Sequence, residues 1–502
     1  MVCKTFVVFF LSLSVQMFSG NSFGQLPVAA TAKINSERGY LPTWNFSPVD
    51  YGAMPQNWAM VQDKRGVMYI GNNEGILEYD GVIWRKILLP DDPNIRSLSI
   101  DSNGVIYVGA QGDFGYLSPD STGKLTYVSL LPYLENKNRD FSDVWTNYVT
   151  PQGVYFQSSS HIFRWDGDTI KVWTANISED SKFHLMFYVN NTLYVRQKTV
   201  GLMQMLDDQL VLIQGGELFA EQDIYFMIPY DQGRILLNTR NHGLYMMKPT
   251  DPDYFPKDRK NPGQINLITP FHTQIDNFYI NNFIYNGLRL PNNNFVIGTQ
   301  GGGVTVIDKN GNLIQILNKN TGLQDGTISY QYLDNRNNLW LALGNGISRV
   351  EINSPLTSFN DKTGLEGTVQ SIVRHNGTLY AATLLGVFYL PSEDGKNSTE
   401  AIDASKLPDY EHSSFKQVEG ISTQCWDLLS IGNSTDPHLL VAANEGIFEI
   451  DKHQKATLIA KYDPCKLCWF QRIFMYPQAV VMFIALLKKD KSIKKYMMSL
   501  SM

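Results

Sequence analysis

Two cysteines stand two residues apart in the stretch Pro464-Cys465-Lys466-Leu467-Cys468. Thiols this close can form an exchangeable disulfide, and a lowered pKa on one of them would supply the attacking thiolate. Zinc is the competing use of such a pair, but a four-coordinate site needs more ligands. No second cysteine pair lies nearby and His453 is badly placed. A second group of candidates is dispersed: Glu74, Gln111, Asp113, His161, Arg240, His242 and Gln300, with Asn73, Lys198, Asn444 and Glu445 in corresponding places. All fall in short polar segments between apolar runs. Such a mixture of donors and acceptors beside aromatic residues suits a neutral polar ligand such as an oligosaccharide, and assigns no metal.

The elements that must hold these segments repeat. A small turn residue, an aliphatic or aromatic pair and another small residue recur as GVMYIG from Gly66, GVIYVG from Gly104, GVYFQS from Gly153, NTLYVR from Asn191, GRILLN from Gly233, NNFVIG from Asn293, NNLWLA from Asn337, GTLYAA from Gly377 and PHLLVA from Pro437. A period of roughly 40 residues in short β-rich units separated by turn signals predicts propeller blades. The first copy resolves into strands over 58–62, 67–70, 75–79 and 82–88, with Asp80-Gly81 supplying a tight hairpin. A four-stranded sheet cannot cover both its faces alone, so blades must stack around an axis. Loops joining second and third strands then gather on one face of the ring, and these carry the dispersed candidates. Tyr69, Tyr107, Tyr194, Trp340 and Tyr380 occupy equivalent places and read as packing between sheets. The turn Asp101-Ser102-Asn103-Gly104 and its relatives at Asp63 and Asp334 open on a carboxylate that either caps backbone N–H groups or invites calcium.

The chain has 502 residues, 43% hydrophobic and 18% charged, which fits a folded protein and excludes a disordered one. Its net charge of -6 leaves no basic footprint for nucleic acid. Lys4, an apolar run over 6–15 and small residues before Gln25 predict a signal peptide over 1–24. From Trp469 to Leu487 the chain is apolar enough to span a bilayer, and Lys488, Lys489, Lys491, Lys494 and Lys495 follow. The positive-inside rule puts those lysines in the cytoplasm, so the region over 25–457 and the two cysteines face the periplasm.

The middle region resembles the two-component regulator propeller repeats of bacterial sensors. Asn45-Phe46, Tyr51, Gln56-Asn57-Trp58 and Gln62-Asp63, then NNEGILEYDGVIW and GAQGDFGYLSPD, carry the resemblance. It implies seven-bladed propellers, often two in tandem, followed by a β-sandwich, a membrane helix and a signalling module, with oligosaccharide ligands in some members. Nine repeats then mean one closed ring plus an incomplete second, and the later modules are not apparent. The last segment, 458–502, with PCKLCWFQRIFMYP before an apolar stretch and a lysine cluster, resembles part of the DsbB-type disulfide bond formation proteins. That resemblance implies that Cys465 and Cys468 are a redox pair, that Arg472 contacts a quinone, and that a soluble thiol oxidase is a partner. DsbB-type proteins carry a second cysteine pair, and here Cys425 is the sole other cysteine of the exported region. The relay is therefore incomplete within this chain: the segment is a remnant fused to a shortened sensor, or it works with a partner supplying the missing helices.

Three functions follow from this reading. The chain is a periplasmic ligand-sensing propeller anchored in the inner membrane, a quinone-linked thiol–disulfide oxidoreductase, or a propeller glycosidase or lyase. The last requires paired carboxylates or a Tyr and Arg cluster converging in the channel.

Overall fold

The nine sequence repeats become the second strands of nine four-stranded antiparallel sheets, in a computed structural model that describes residues 39–175, 181–231, 233–248, 267–391, 414–433 and 436–461. In the first sheet the strands are Asn57–Gln62, Met68–Asn72, Gly75–Tyr79 and Trp84–Ile87, ordered from the axis outward and close to the ranges that alternation predicts. Five more sheets repeat this meander over 95–129, 144–174, 183–212, 227–271 and 284–317. Their innermost strands, from Asn57–Gln62 round to Ile328–Leu333, each lie against the next, and the last returns to the first. This is a ring of seven blades.

The seventh blade shows how the ring closes. The chain supplies only three of its strands in sequence, Ile328–Leu333, Leu339–Leu343 and Ile347–Val350. Its outermost strand is β1, Thr43–Phe46, from the start of the described chain, paired antiparallel with Thr43 opposite Val350 and Phe46 opposite Ile347. Phe46 stacks on Trp340 with ring centroids 5.8 Å apart and meets the edge of Trp84 in the first blade at 5.4 Å. One aromatic side chain thus touches both sides of the seam.

The cores lie between blades. Trp340 of the seventh blade is buried with Met60, Met68 and Ile70 of the first, and Tyr69 of the first with Ile95, Leu98 and Val108 of the second. Tyr69, Tyr194, Trp340 and Tyr380 are buried and Tyr107 is half-buried, as expected of inter-blade packing. Where a repeat ends in glycine, that glycine has a steric cause. A Cβ on Gly71 would sit 2.9 Å from Ile95 Cγ2, and one on Gly109 would sit 2.8 Å from the carbonyl oxygen of Val144. The next blade's innermost strand approaches the sheet at these points, and only a missing or minimal side chain lets it.

The aspartate turns cap the hairpins between first and second strands. Asp101 Oδ1 accepts the N–H groups of Asn103 and Val105 at 2.9 and 2.8 Å, Asp63 Oδ1 those of Arg65 and Val67, and Asp334 Oδ1 those of Arg336 and Asn338. These carboxylates are spent on backbone donors.

Two further sheets, 369–417 and 425–461, follow the ring and pack on each other. Their second strands are the eighth and ninth repeats. The signal peptide, Cys465, Cys468, Arg472 and the apolar segment from Trp469 lie outside the described residues. Among the described residues no helix is long and apolar enough to cross a membrane.

Candidate functional site

A β-bulge opens the innermost strand of six of the seven ring blades. Register jumps between Asn57 and Ala59, Ile95 and Ser97, Val144 and Thr146, Phe183 and Met186, Ile284 and Asn286, and Ile328 and Tyr330. The extra residues are Trp58, Arg96, Trp145, His184 with Leu185, Tyr285 and Ser329. In the fifth blade pairing begins at Met227, and the side chain of Asn238 accepts the N–H groups of Tyr225 and Phe226 instead. A bulge re-aims the residue it releases from the ladder. Repeated round the ring, it builds a collar at one mouth of the channel: Trp58, Arg96, Trp145, His184, Tyr225, Tyr285 and Ser329, each half-buried. The channel has a volume of about 480 Å³, within the roughly 300–1,000 Å³ of small-ligand sites.

The collar has two halves. In one, the Arg96 guanidinium lies 4.5 Å from the ring centroid of Trp58 and 4.9 Å from that of Trp145, and the two indoles meet edge-on at 6.2 Å. Arg96 Nε donates to Asp143 Oδ1 at 2.7 Å, while Nη1 is buried without a hydrogen-bond partner. Trp58 Nε1 donates to Asn73 Oδ1 at 2.7 Å, and Asn73 Nδ2 donates to Gln56. In the other half Tyr225 packs against Tyr285 at 4.9 Å and across the edge of His184 at 5.0 Å. Arg240 Nη1 reaches the Tyr225 hydroxyl at 3.5 Å. His184 Nδ1 donates to the carbonyl of Ile224 at 3.1 Å.

Beside the Arg96–Asp143 ion pair, burial keeps the other titratable side chains of the collar neutral. Burial raises the pKa of the Tyr225 and Tyr285 hydroxyls, so both stay protonated and poor as bases. Burial lowers that of His184 against the pull of Asp223, so its imidazole is neutral at pH 7. Deeper in the channel burial also raises Tyr330, to about 12. Ser99 Oγ, Asn147 Oδ1 and both carboxamide atoms of Gln331 are buried there without protein partners. No Asp or Glu is among the described residues lining the channel. The axis is thus walled by aromatic and aliphatic side chains with a few unspent polar atoms, less hydrophilic than a ring of polar loops predicts.

The dispersed candidates fall between second and third strands, with His161 opening the third strand of its blade and Asn444 and Glu445 in the ninth sheet, outside the ring. Two of them have described side-chain hydrogen bonds to a collar residue, Arg240 to Tyr225 and Asn73 to Trp58. Glu74 is half-buried and pairs with Lys86 at 3.2 Å. Gln111 is exposed and accepts from Asn94 at 2.8 Å. Asp113 accepts from Ser129 Oγ and the Phe114 N–H, with its pKa raised by burial. His161 is buried, stacks on Phe163 at 5.5 Å and shares a hydrogen bond with Ser160; burial lowers its pKa. His242 is exposed, its N–H bonded to Thr239 Oγ1. Gln300 uses its backbone N–H on Asn282 and Phe283. Sequence reasoning passed over the collar itself, although its signal was present as the second residue of each innermost strand: Trp58, Arg96, Trp145 and Tyr285.

Cys425, in the ninth sheet, is fully buried, and burial pushes its thiol up to about 11. It is not an activated thiol. Among the described residues no cluster of His, Cys, Asp and Glu could hold a metal ion.

Comparison with known proteins divides the chain in two. The disulfide bond formation protein DsbB family matches residues 456–502. "Probable disulfide formation protein C" of Halalkalibacterium halodurans is 50% identical over 38 residues, which cover 8% of this chain and 28% of that protein. Disulfide bond formation protein C of Bacillus subtilis is 44% identical over 43 residues, 9% of this chain and 31% of that protein. The chain therefore spans under a third of these relatives. The match begins inside the outermost strand of the ninth sheet, Ala456–Lys461. The remainder is similar in structure to a crystal structure described as the extracellular domain of a hybrid two-component system, BT3049, from B. thetaiotaomicron, with a TM-score of 0.56, 16% identity, and coverage of 84% of this chain and 55% of that one. At that identity the likeness shows the fold alone: a propeller array, with the DsbB match confined to residues 456–502.

Proposed function

We propose that the protein is a periplasmic ligand-sensing propeller whose receptor site is the bulge-built collar, with a small polar ligand, an oligosaccharide in the first instance, bound over the channel mouth. The observation that carries this reading is the recurrence of the bulge: the released residue is Trp58, Trp145 or Tyr285 in three blades, and Tyr225 takes the corresponding place in the fifth, where Asn238 holds its backbone N–H. The C–H faces of a sugar ring pack on such surfaces, while Arg240, Asn73 and the unspent channel polar atoms supply orientation. The 458–502 segment serves as the inner-membrane anchor, its lysine-rich end in the cytoplasm. Calorimetric titration of oligosaccharide panels against the full chain tests the site. Trp58→Ala and Tyr225→Ala should each weaken binding at least tenfold with the melting temperature little changed. Undiminished binding by both variants overturns the assignment.

The DsbB-like match favours a second reading, in which Cys465 and Cys468 form a redox pair linked to quinone through Arg472. Quinone reduction by membranes carrying the wild type and Cys465→Ser separates the two. Turnover that depends on the cysteine makes the oxidoreductase primary; equal rates remove it.

A further inference from the structure

Among the described residues, the two sheets beyond the ring leave one face open at each end, and the ring shows what those faces are built to meet. Aligned on their bulges, the innermost strands read Asn57-Trp58-Ala59-Met60-Val61 in the first blade, Val369-Gln370-Ser371-Ile372-Val373 in the eighth and Cys425-Trp426-Asp427-Leu428-Leu429 in the ninth. In the closed ring Met60 is 0% exposed and packs toward Trp340 of the preceding blade. Val61 is 6% exposed and shares a core with Leu98 of the following blade. The junction between eighth and ninth sheets copies this, with Val373 against a core that includes Leu428. At the two outer ends the same positions are bare: Ile372, in the place of Met60, is 62% exposed, and Leu429, in the place of Val61, is 55% exposed.

The ninth sheet carries the rest of a receiving surface. Ala442 stands where Gly71 and Gly109 admit the next blade, and it is exposed. Ile447 is exposed too, and a cleft of about 410 Å³ runs between Trp426, Ala442, Ile447 and Ala460. Trp426 is held as Trp58 is, donating to Asn444 Oδ1 at 2.9 Å, with Asn444 Nδ2 on Gln424.

One open face therefore awaits a following blade and the other a preceding blade. A second copy of this chain offers both. We propose that two copies pair through these sheets, the Leu429 face of each covering the Ile372 face of its partner, to close a composite ring of four blades. Four is within the range of propeller blade numbers, and two-fold closure uses every open face, whereas one-sided pairing would continue into a filament. The packing required is that already present where Val373 meets the core around Leu428.

The experiment uses full-length chains in detergent-solubilised membranes. Copies bearing Ile372→Cys and Leu429→Cys, each with its own tag, are co-expressed and oxidised. A disulfide-linked dimer containing both tags is expected, with neither variant cross-linking to itself, because Leu429 meets the partner's Ile372 rather than the partner's Leu429. Light scattering should give a dimer for the wild type and a monomer for Leu429→Glu, a change at an exposed position. A monomeric wild type, a dimer that persists in Leu429→Glu, or a cysteine at 429 shielded from thiol reagents in the monomer, as when the following segment of the same chain covers the face, would each overturn the proposal.

Discussion

The guanidinium of Arg96 lies between the indoles of Trp58 and Trp145, 4.5 Å from one ring centroid and 4.9 Å from the other. Three consecutive blades each contribute one member to this stack. A cation held between two π-faces, with its Nε satisfied by Asp143, fixes both indoles at the channel mouth without consuming their outer surfaces. Rigidity of this kind lowers the ordering cost of ligand binding.

Arg96→Leu should destabilise the protein by about 3 kcal/mol, because Asp143, with a side chain 18% exposed, loses its partner in a partly buried site. Chemical denaturation followed by tryptophan fluorescence reads this directly. The double variant Arg96→Leu, Asp143→Leu should recover part of the loss. A single variant within 1 kcal/mol of wild type would show the pair to be solvent-screened.

Phe46→Ala should cost about 2 kcal/mol, less than a fully buried phenylalanine, since Phe46 is half-buried. The location matters more than the amount. Hydrogen exchange should accelerate in both 57–62 and 347–350, on the two sides of the seam, and stay unchanged in the opposite blades.

Gly109→Ala should be destabilising by about 2 kcal/mol through overpacking, since the added methyl meets a backbone carbonyl and Ser97 Oγ. Gly71→Ala should be milder, because its methyl meets the movable side chain of Ile95 at 2.9 Å. Equal melting temperatures for the two would contradict a close approach of neighbouring blades.

His161, His184 and His375 all have pKa values lowered from 6.5 by burial. A histidine whose folded pKa is depressed binds its proton more readily when unfolded. Its contribution to stability is complete above the unfolded value of 6.5 and is lost as pH falls from there through the folded value. Stability should therefore drop between pH 7 and pH 5, and His184→Gln should flatten that slope. A slope unchanged in the variant would place the proton uptake elsewhere.

The repeats were readable because each blade must solve the same packing problem. GVMYIG and GVIYVG state an alternating buried strand and a terminal glycine, and both features are imposed by the neighbouring sheet. The aspartate turns were readable as turns for the same local reason. Ring closure was not, since nothing in Thr43–Phe46 specifies a partner at 347–350; that pairing follows from counting blades in space. The collar was missed because its mark, the second residue of an innermost strand, changes type from blade to blade. Trp58 and Arg96 are unlike residues whose equivalence appears only when the register jump at each strand is compared. Loop residues such as Asp113 and His161 drew attention by chemical type, yet the structure commits their polar atoms to neighbours such as Ser129 and Ser160.

The pairing of Thr43 with Val350 has a consequence for how the chain gains its shape. The strand that emerges early must wait, unpaired, until some three hundred residues have followed it, so the sheets between them cannot be secured one at a time as they appear. Loop-closure entropy of this size makes the final docking slow. Once made, it also joins the entry and exit of the ring at a single seam, so that tension between the two ends is borne by one short ladder of hydrogen bonds before any other blade feels it.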